Sequence, residues 1–170
     1  MPEGEELEVL NQYDGWVEVD LDGDVGYAST DYVEISQQLP KAQTMTELKY
    51  GQGVSDARVS LVAYATQFVG NPYVWGGTNL NTGADCSGFV KSVYKSFGYN
   101  LPRSSSSQRS AGRKVSYSNK QPGDLICYSG HIAIYIGNGK IVHASSRKTG
   151  IKISPKANYR KVLSVRRIVK

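Results

Sequence analysis

Asp85-Cys86-Ser87-Gly88-Phe89-Val90-Lys91-Ser92-Val93-Tyr94 reads as the opening of a helix that carries a cysteine in its first turn. The apolar-periodic run after Gly88 predicts a helix from Cys86 or Ser87 to Phe97, stopped by Gly98. A thiol there lies among backbone N–H groups that lack helical partners, at the positive end of the helix dipole, where a thiolate is favoured. It becomes a nucleophile only with a base beside it. The chain has two histidines, His131 and His143, so the question is whether all three share one site.

Upstream, Asp56 is a good N-cap for a helix over Ala57 to Val69, with Val59, Val62, Ala63 and Ala65-Thr66 near one face and Gly70 as the stop. Asn71 to Ala84 reads as a glycine-rich loop bearing Tyr73 and Trp75, with Trp75 taken as packing. Residues 101–121 are polar and hold one short helix within Ser104 to Ser110, more loop than site. Strands are expected at Gly123 to Tyr128, Ile132 to Ile136, Lys140 to Ala144, Gly150 to Ile153 and Val162 to Ile168. Asn138-Gly139 signals a type I′ hairpin between two of them. Helices first and antiparallel strands afterwards make an α+β domain.

Pairing around Asn138-Gly139 sets His143 opposite Ile132 or a near neighbour, so both imidazoles can meet on one face. A helix packed on that sheet brings Cys86 to them, the geometry of a Cys-His pair with a third group fixing the tautomer. Singly, each residue reads more readily as a packed core residue than as a catalyst, and only the coincidence of the three favours a site. Zinc is a further reading of two Cys and two His, but Cys127-x3-His131 with an isolated Cys86 matches no usual finger spacing. Cys127, in the apolar run Asp124-Leu125-Ile126-Cys127-Tyr128, is expected to be a buried inert thiol. A Cys86–Cys127 disulfide would block the nucleophile.

Residues 3–35 alternate in short apolar runs, Leu7 to Leu10, Trp16 to Val19, Gly26 to Ala28 and Tyr32 to Ile35. Tyr13-Asp14-Gly15 and Leu21-Asp22-Gly23-Asp24 are the turns between them, as in a small β-barrel or meander. Residues 36–55 read as a linker. Charge divides along the same line. Residues 1–50 hold twelve Asp or Glu against Lys41 and Lys49, and residues 51–170 hold eighteen Lys or Arg against Asp56, Asp85 and Asp124. The basic part would attract a polyanion, a nucleic acid or an anionic cell wall, or its charge only aids solubility. No apolar run reaches the length of a membrane span. Met1-Pro2-Glu3-Gly4 reads as a start placed inside a longer protein, with any export signal lying upstream.

Residues 56–170 closely resemble the NlpC/P60 family of papain-like cysteine peptidases. The carrying motifs are Asn71-Pro72-Tyr73-Val74-Trp75-Gly76-Gly77, Asp85-Cys86-Ser87-Gly88-Phe89-Val90, Leu101-Pro102-Arg103, Pro122-Gly123-Asp124-Leu125, Gly130-His131-Ile132-Ala133-Ile134-Tyr135-Ile136-Gly137 and Val142-His143-Ala144. Residues 1–35 resemble the latter part of a bacterial SH3 module, without its usual first strand. The resemblance implies a secreted endopeptidase that cuts peptidoglycan stem peptides between γ-D-glutamate and meso-diaminopimelate or lysine. It implies Cys86 as nucleophile, His131 as general base and acid, His143 as orienting residue and Tyr73 as oxyanion donor. Asp85 and Ser87 would bind substrate. No cofactor or metal is implied; the partners are stem peptides and anionic wall polymers rather than nucleic acid. A related amidase or acyltransferase on the same fold, and a non-catalytic wall-binding module, are the alternatives.

Overall fold

A computed structural model describes residues 9–21, 24–32 and 54–170. The chain divides into two compact units, Met1–Ala42 and Gln43–Lys170. In the first, β1 (Val9–Tyr13), β2 (Trp16–Leu21) and β3 (Asp24–Ser29) form an antiparallel meander in the order β1-β2-β3. Gly15, at φ 77°, closes the β1–β2 turn. Val17 and Val19 are buried, whereas Trp16 and Tyr27 on the alternating face are exposed. The expected fourth run, beyond Tyr32, and most of the 36–55 linker lie outside the described residues.

The second unit is α+β, as its order of elements predicts. Helix α1 (Asp56–Thr66) leads to a loop holding the two-residue strands β4 (Thr78–Asn79) and β5 (Gly83–Ala84), then to α2 (Cys86–Lys95) and the single turn α3 (Ser105–Gln108). Strands β6 (Arg113–Val115), β7 (Leu125–Tyr128), β8 (His131–Gly137), β9 (Lys140–Ser146), β10 (Gly150–Ser154) and β11 (Ser164–Arg167) follow. They form one antiparallel sheet in the order β10-β9-β8-β7-β11-β6.

Both faces of this sheet are buried, so its central strands are nearly continuous apolar runs. Leu125, Cys127, Ile132, Ile134, Val142, Ala144 and Ile151 pack with Leu61 and Ala65 of α1 and with Phe89, Val90, Val93 and Tyr94 of α2. Ile126, Tyr128, Ala133, Tyr135, Ile141 and Val165 form a second cluster with Ala157. Asn138 at φ 51° and Gly139 at φ 74° make the β8–β9 connection. Two consecutive residues at positive φ are the signature of the type I′ turn that Asn-Gly predicts.

Several local expectations are corrected. Ser55 rather than Asp56 occupies the N-cap position of α1, its hydroxyl donating to the Lys170 carbonyl at 3.1 Å, and Asp56 lies inside the first turn. The buried face of α1 is Arg58, Leu61, Val62 and Ala65, while Ala63 is exposed. Arg58 can be buried because its guanidinium reaches Asp124 Oδ1 at 3.0 Å and donates to the carbonyls of Pro122, at 2.9 Å, and Val169. Arg167 donates to the same carboxylate at 2.9 and 2.8 Å. Asp124 is fully buried, and it ties α1 to the start of β7 and to β11. Removing one member of such a group leaves an uncompensated buried charge. Asp124→Ala is therefore expected to lower unfolding free energy by about 3–5 kcal/mol, read from urea denaturation; a loss below about 1 kcal/mol, the range of surface pairs, would contradict this role.

Candidate active site

Asp85 caps α2 through its side chain, which accepts from the Gly88 N–H at 2.7 Å. Gly88 is needed for close approach: a Cβ there would lie 2.0 Å from the Gly77 carbonyl oxygen. That contact seats the start of α2 against the glycine-rich loop. The loop is fastened in turn by a parallel bridge between Tyr73 and Ala84, two residues before the cysteine. Tyr73 is close enough to Cys86 for a thiolate charge there to raise its phenol. Burial raises the phenol more, so it stays a protonated donor.

Cys86 is 8% exposed. Burial pushes its thiol up, the backbone N–H groups of Ile132, Ser87 and Cys86 itself pull it down, and Asp85 adds to the rise. The net direction is upward: loss of water outweighs the helix end. The N–H of Ile132 belongs to the residue after His131, so the thiol sits at the start of β8 beside the histidine. Cys127 is buried on β7, and both cysteines are free.

The histidines meet through sheet geometry. Ile134 pairs with Val142, which sets His143 level with Ala133, one place from the expected Ile132. His131 is then its diagonal neighbour on the same face, a separation that long side chains can bridge. His131 Nε2 lies 2.7 Å from His143 Nδ1. The relation repeats on the next strand, where Lys152 pairs with His143 and Ser154 is the diagonal neighbour. His143 Nε2 lies 2.8 Å from Ser154 Oγ. A hydrogen-bonded line thus crosses β8, β9 and β10. When Ser154 accepts from His143 Nε2–H, His143 Nδ1 accepts from His131 Nε2–H. His131 Nδ1 is left bare, able to take a proton. Ser154 was missed because only the observed register brings β10 to the pair.

Aromatic rings enclose this line. Tyr128 stacks on His131 with centroids 5.9 Å apart, and Tyr159 lies 5.6 Å from His143 and 5.4 Å from Tyr128. Burial, with Arg160 nearby, lowers His131 to about 4. Burial, then His131, Lys152 and Arg160, lowers His143 to about 3.

Asp85 and Ser87 are engaged internally. Arg103 donates to Asp85 at 2.9 and 2.7 Å and to Ser87 Oγ at 3.0 Å, and the Gly76 N–H reaches the same carboxylate at 2.9 Å. Burial alone would raise Asp85, but these donors hold it below the ordinary carboxylate range. Gln108 of α3 is fully buried and donates to the carbonyls of Ser87 and Pro102, so the serine-rich turn braces α2. Trp75, read as packing, is instead 77% exposed.

The buried neutral histidines couple stability to pH. An unfolded histidine protonates near 6.5, whereas the folded pair stays neutral to about 4 and about 3. The unfolded state binds more protons in that window, so stability falls as pH drops below 6.5, by up to about 1.4 kcal/mol per pH unit for each histidine. Urea midpoints at pH 7, 5.5 and 4.5 should show this slope, with roughly half lost in His143→Gln; a flat profile would contradict it.

Comparison with known proteins agrees with the fold and with the motif resemblance. The NlpC/P60 family profile matches residues 70–167. The bifunctional muramidase/DL-endopeptidase CwlT of Bacillus subtilis is 32% identical over 136 residues, covering 75% of this chain and 40% of the relative. A gamma-D-glutamyl-L-lysine dipeptidyl-peptidase of Bacillus cereus is 37% identical, covering 56% of this chain and 31% of the relative. This chain thus spans less than half the length of either. The crystal structure of the NlpC/p60 domain of peptidoglycan hydrolase SagA superposes with a TM-score of 0.59 at 32% identity, covering 65% of this chain and 98% of that domain. With more than half its length matched by the family profile, this chain belongs to the NlpC/P60 family.

Proposed function

We propose that the chain is a cysteine peptidase that hydrolyses peptidoglycan stem peptides at the bond between γ-D-glutamate and the following diamino acid. The observation that carries this reading is the 2.7 Å His131–His143 contact beside the buried Cys86 thiol. The substrate class is drawn from what the relatives' names say of those proteins. A location at the cell wall completes the proposal, with residues 1–35 as an SH3-like module that helps to place the substrate.

The reaction starts from a neutral thiol and a neutral imidazole. As Sγ attacks the amide carbon, His131 Nδ1 takes the thiol proton, so base and nucleophile act in one step. The oxyanion is held by the Cys86 N–H and the Tyr73 O–H; one such donor contributes about 3 kcal/mol. The imidazolium formed at His131 donates to His143 Nδ1 and hands its other proton to the leaving amine as the C–N bond breaks. Water, deprotonated by His131, then cleaves the thioester and restores the thiol. On the acyl side, a substrate amine that used Asp85 would share the carboxylate with Arg103. Ser87 Oγ, bound to the same guanidinium, would contact the substrate backbone.

Digestion of defined muropeptides, read by fragment mass, tests the reading. A cut after γ-D-glutamate that disappears in Cys86→Ala is expected; intact stem peptides, or equal cutting by the variant, would overturn it. Another mass shift would indicate an amidase or acyltransferase. Ser154 is a positioning residue here, since it selects the tautomer through His143. Ser154→Ala is expected to lower kcat about tenfold, less than the roughly hundredfold or more that loss of the proton-transfer group itself costs, with little change in KM. Ser154→Thr should restore most of the rate. Equal loss in both variants would mean that packing, not the hydroxyl, matters.

A further inference from the structure

A groove of about 620 Å³ runs between residues 114–117 and 158–165, along the β11–β6 edge of the sheet. Lys114, Arg160 and Lys161 line it, and no Asp or Glu does. A fourth cation, Lys120, lies over the ring of Tyr117, also a lining residue, at 3.8 Å. The scarcity of carboxylates explains the unbalanced charge. Residues 51–170 contain only Asp56, Asp85 and Asp124. Asp85 is paired with Arg103, and Asp124 with Arg58 and Arg167. Among the described residues, no salt bridge neutralises Lys114, Arg160 or Lys161.

The groove adjoins the catalytic line. Tyr159 lines it and also contacts His143 and Tyr128, and the Arg160 guanidinium lies 5.2 Å from the Tyr159 ring. Tyr128 continues the wall to His131. The direction of the reaction decides which part of a substrate faces this wall. His131 must protonate the leaving nitrogen, so the leaving half departs over His131. The acyl half faces Cys86, Tyr73 and the Asp85–Arg103 pair, whose charges cancel.

We propose that this groove is the subsite for the leaving half of the substrate, and that its unpaired cations select a carboxylate-bearing diamino acid, such as meso-diaminopimelate, over lysine. The proposal rests on the peptidase reading above. meso-Diaminopimelate ends in the same ammonium as lysine but adds a carboxylate on the carbon that bears it. The ammonium meets like charge in both, and only the added carboxylate gains attraction from several cations. Each exposed pair contributes only about 0.2–1 kcal/mol. Several acting together on that one carboxylate amount to about a tenfold preference.

The test titrates the intact chain with the two leaving dipeptides, meso-diaminopimelyl-D-alanine and L-lysyl-D-alanine, neither of which contains the scissile bond. The diaminopimelate peptide is expected to bind about tenfold tighter, with the preference shrinking in high salt. In Lys114→Gln/Lys161→Gln, which keeps the Arg160–Tyr159 contact beside the histidines, the preference should fall to about threefold. The matching stem peptides should show the same loss in KM. Equal or undetectable binding of the two dipeptides, or a preference unchanged in the double variant, would overturn the proposal. If both stem peptides are cut equally well, the groove fails while the peptidase reading stands. If neither is cut, the peptidase reading fails, and the groove's role as a leaving-half subsite fails with it even where the dipeptides are discriminated.

Discussion

A slip of one residue in the pairing of β8 with β9 would turn His143 to the opposite face of the sheet. The site depends on that register. It is set by the Asn138-Gly139 turn and by the irregularity between Tyr135 and Gly137, which together bring Ile134 opposite Val142. From there the diagonal line His131–His143–Ser154 follows from strand geometry alone. The edge strand β10 is held to the same frame. Its Ile151 N–H donates to Asn71 at 2.9 Å, and its carbonyl accepts from Gly70 at 2.8 Å. The loop that carries Tyr73 and the strand that carries Ser154 are therefore tied together, and with them Cys86 and the His131–His143–Ser154 line.

Charge is used sparingly in the second unit. Two of the three carboxylates in residues 51–170 are committed to ion pairs with arginines, one fully buried between α1, β7 and β11 and one at the start of α2. Such pairs hold elements in a particular arrangement more than they add net stability. Their consequence at the surface is a predominantly cationic exterior. Their consequence at the site is that Asp85, paired with Arg103, opposes ionisation of Cys86 less than a bare carboxylate would.

Much of this was legible in sequence because it depends on local rules. The apolar run after Asp85-Cys86-Ser87-Gly88 marks a helix end, Asn138-Gly139 marks a hairpin, and the period of two puts both histidines on one face. Long-range features were not legible. Nothing near Arg58 shows that it will be buried against Asp124, sixty-six positions away. Ser154 emerges only when two successive registers are known. The aromatic wall of Tyr128 and Tyr159 forms only on folding, and with it the burial that keeps the thiol and both imidazoles neutral. Helix position, which favours a thiolate, can be read locally; desolvation, which opposes it, cannot.

The account predicts a resting site with a thiol, two neutral imidazoles and one fixed tautomer. Nitrogen NMR of histidine-labelled protein between pH 5 and 8 tests this most directly, since protonated and bare ring nitrogens resonate apart. The expected spectrum shows His131 protonated at Nε2 and bare at Nδ1, with no titration across that range. A proton on Nδ1, or an imidazolium at pH 7, would contradict the account.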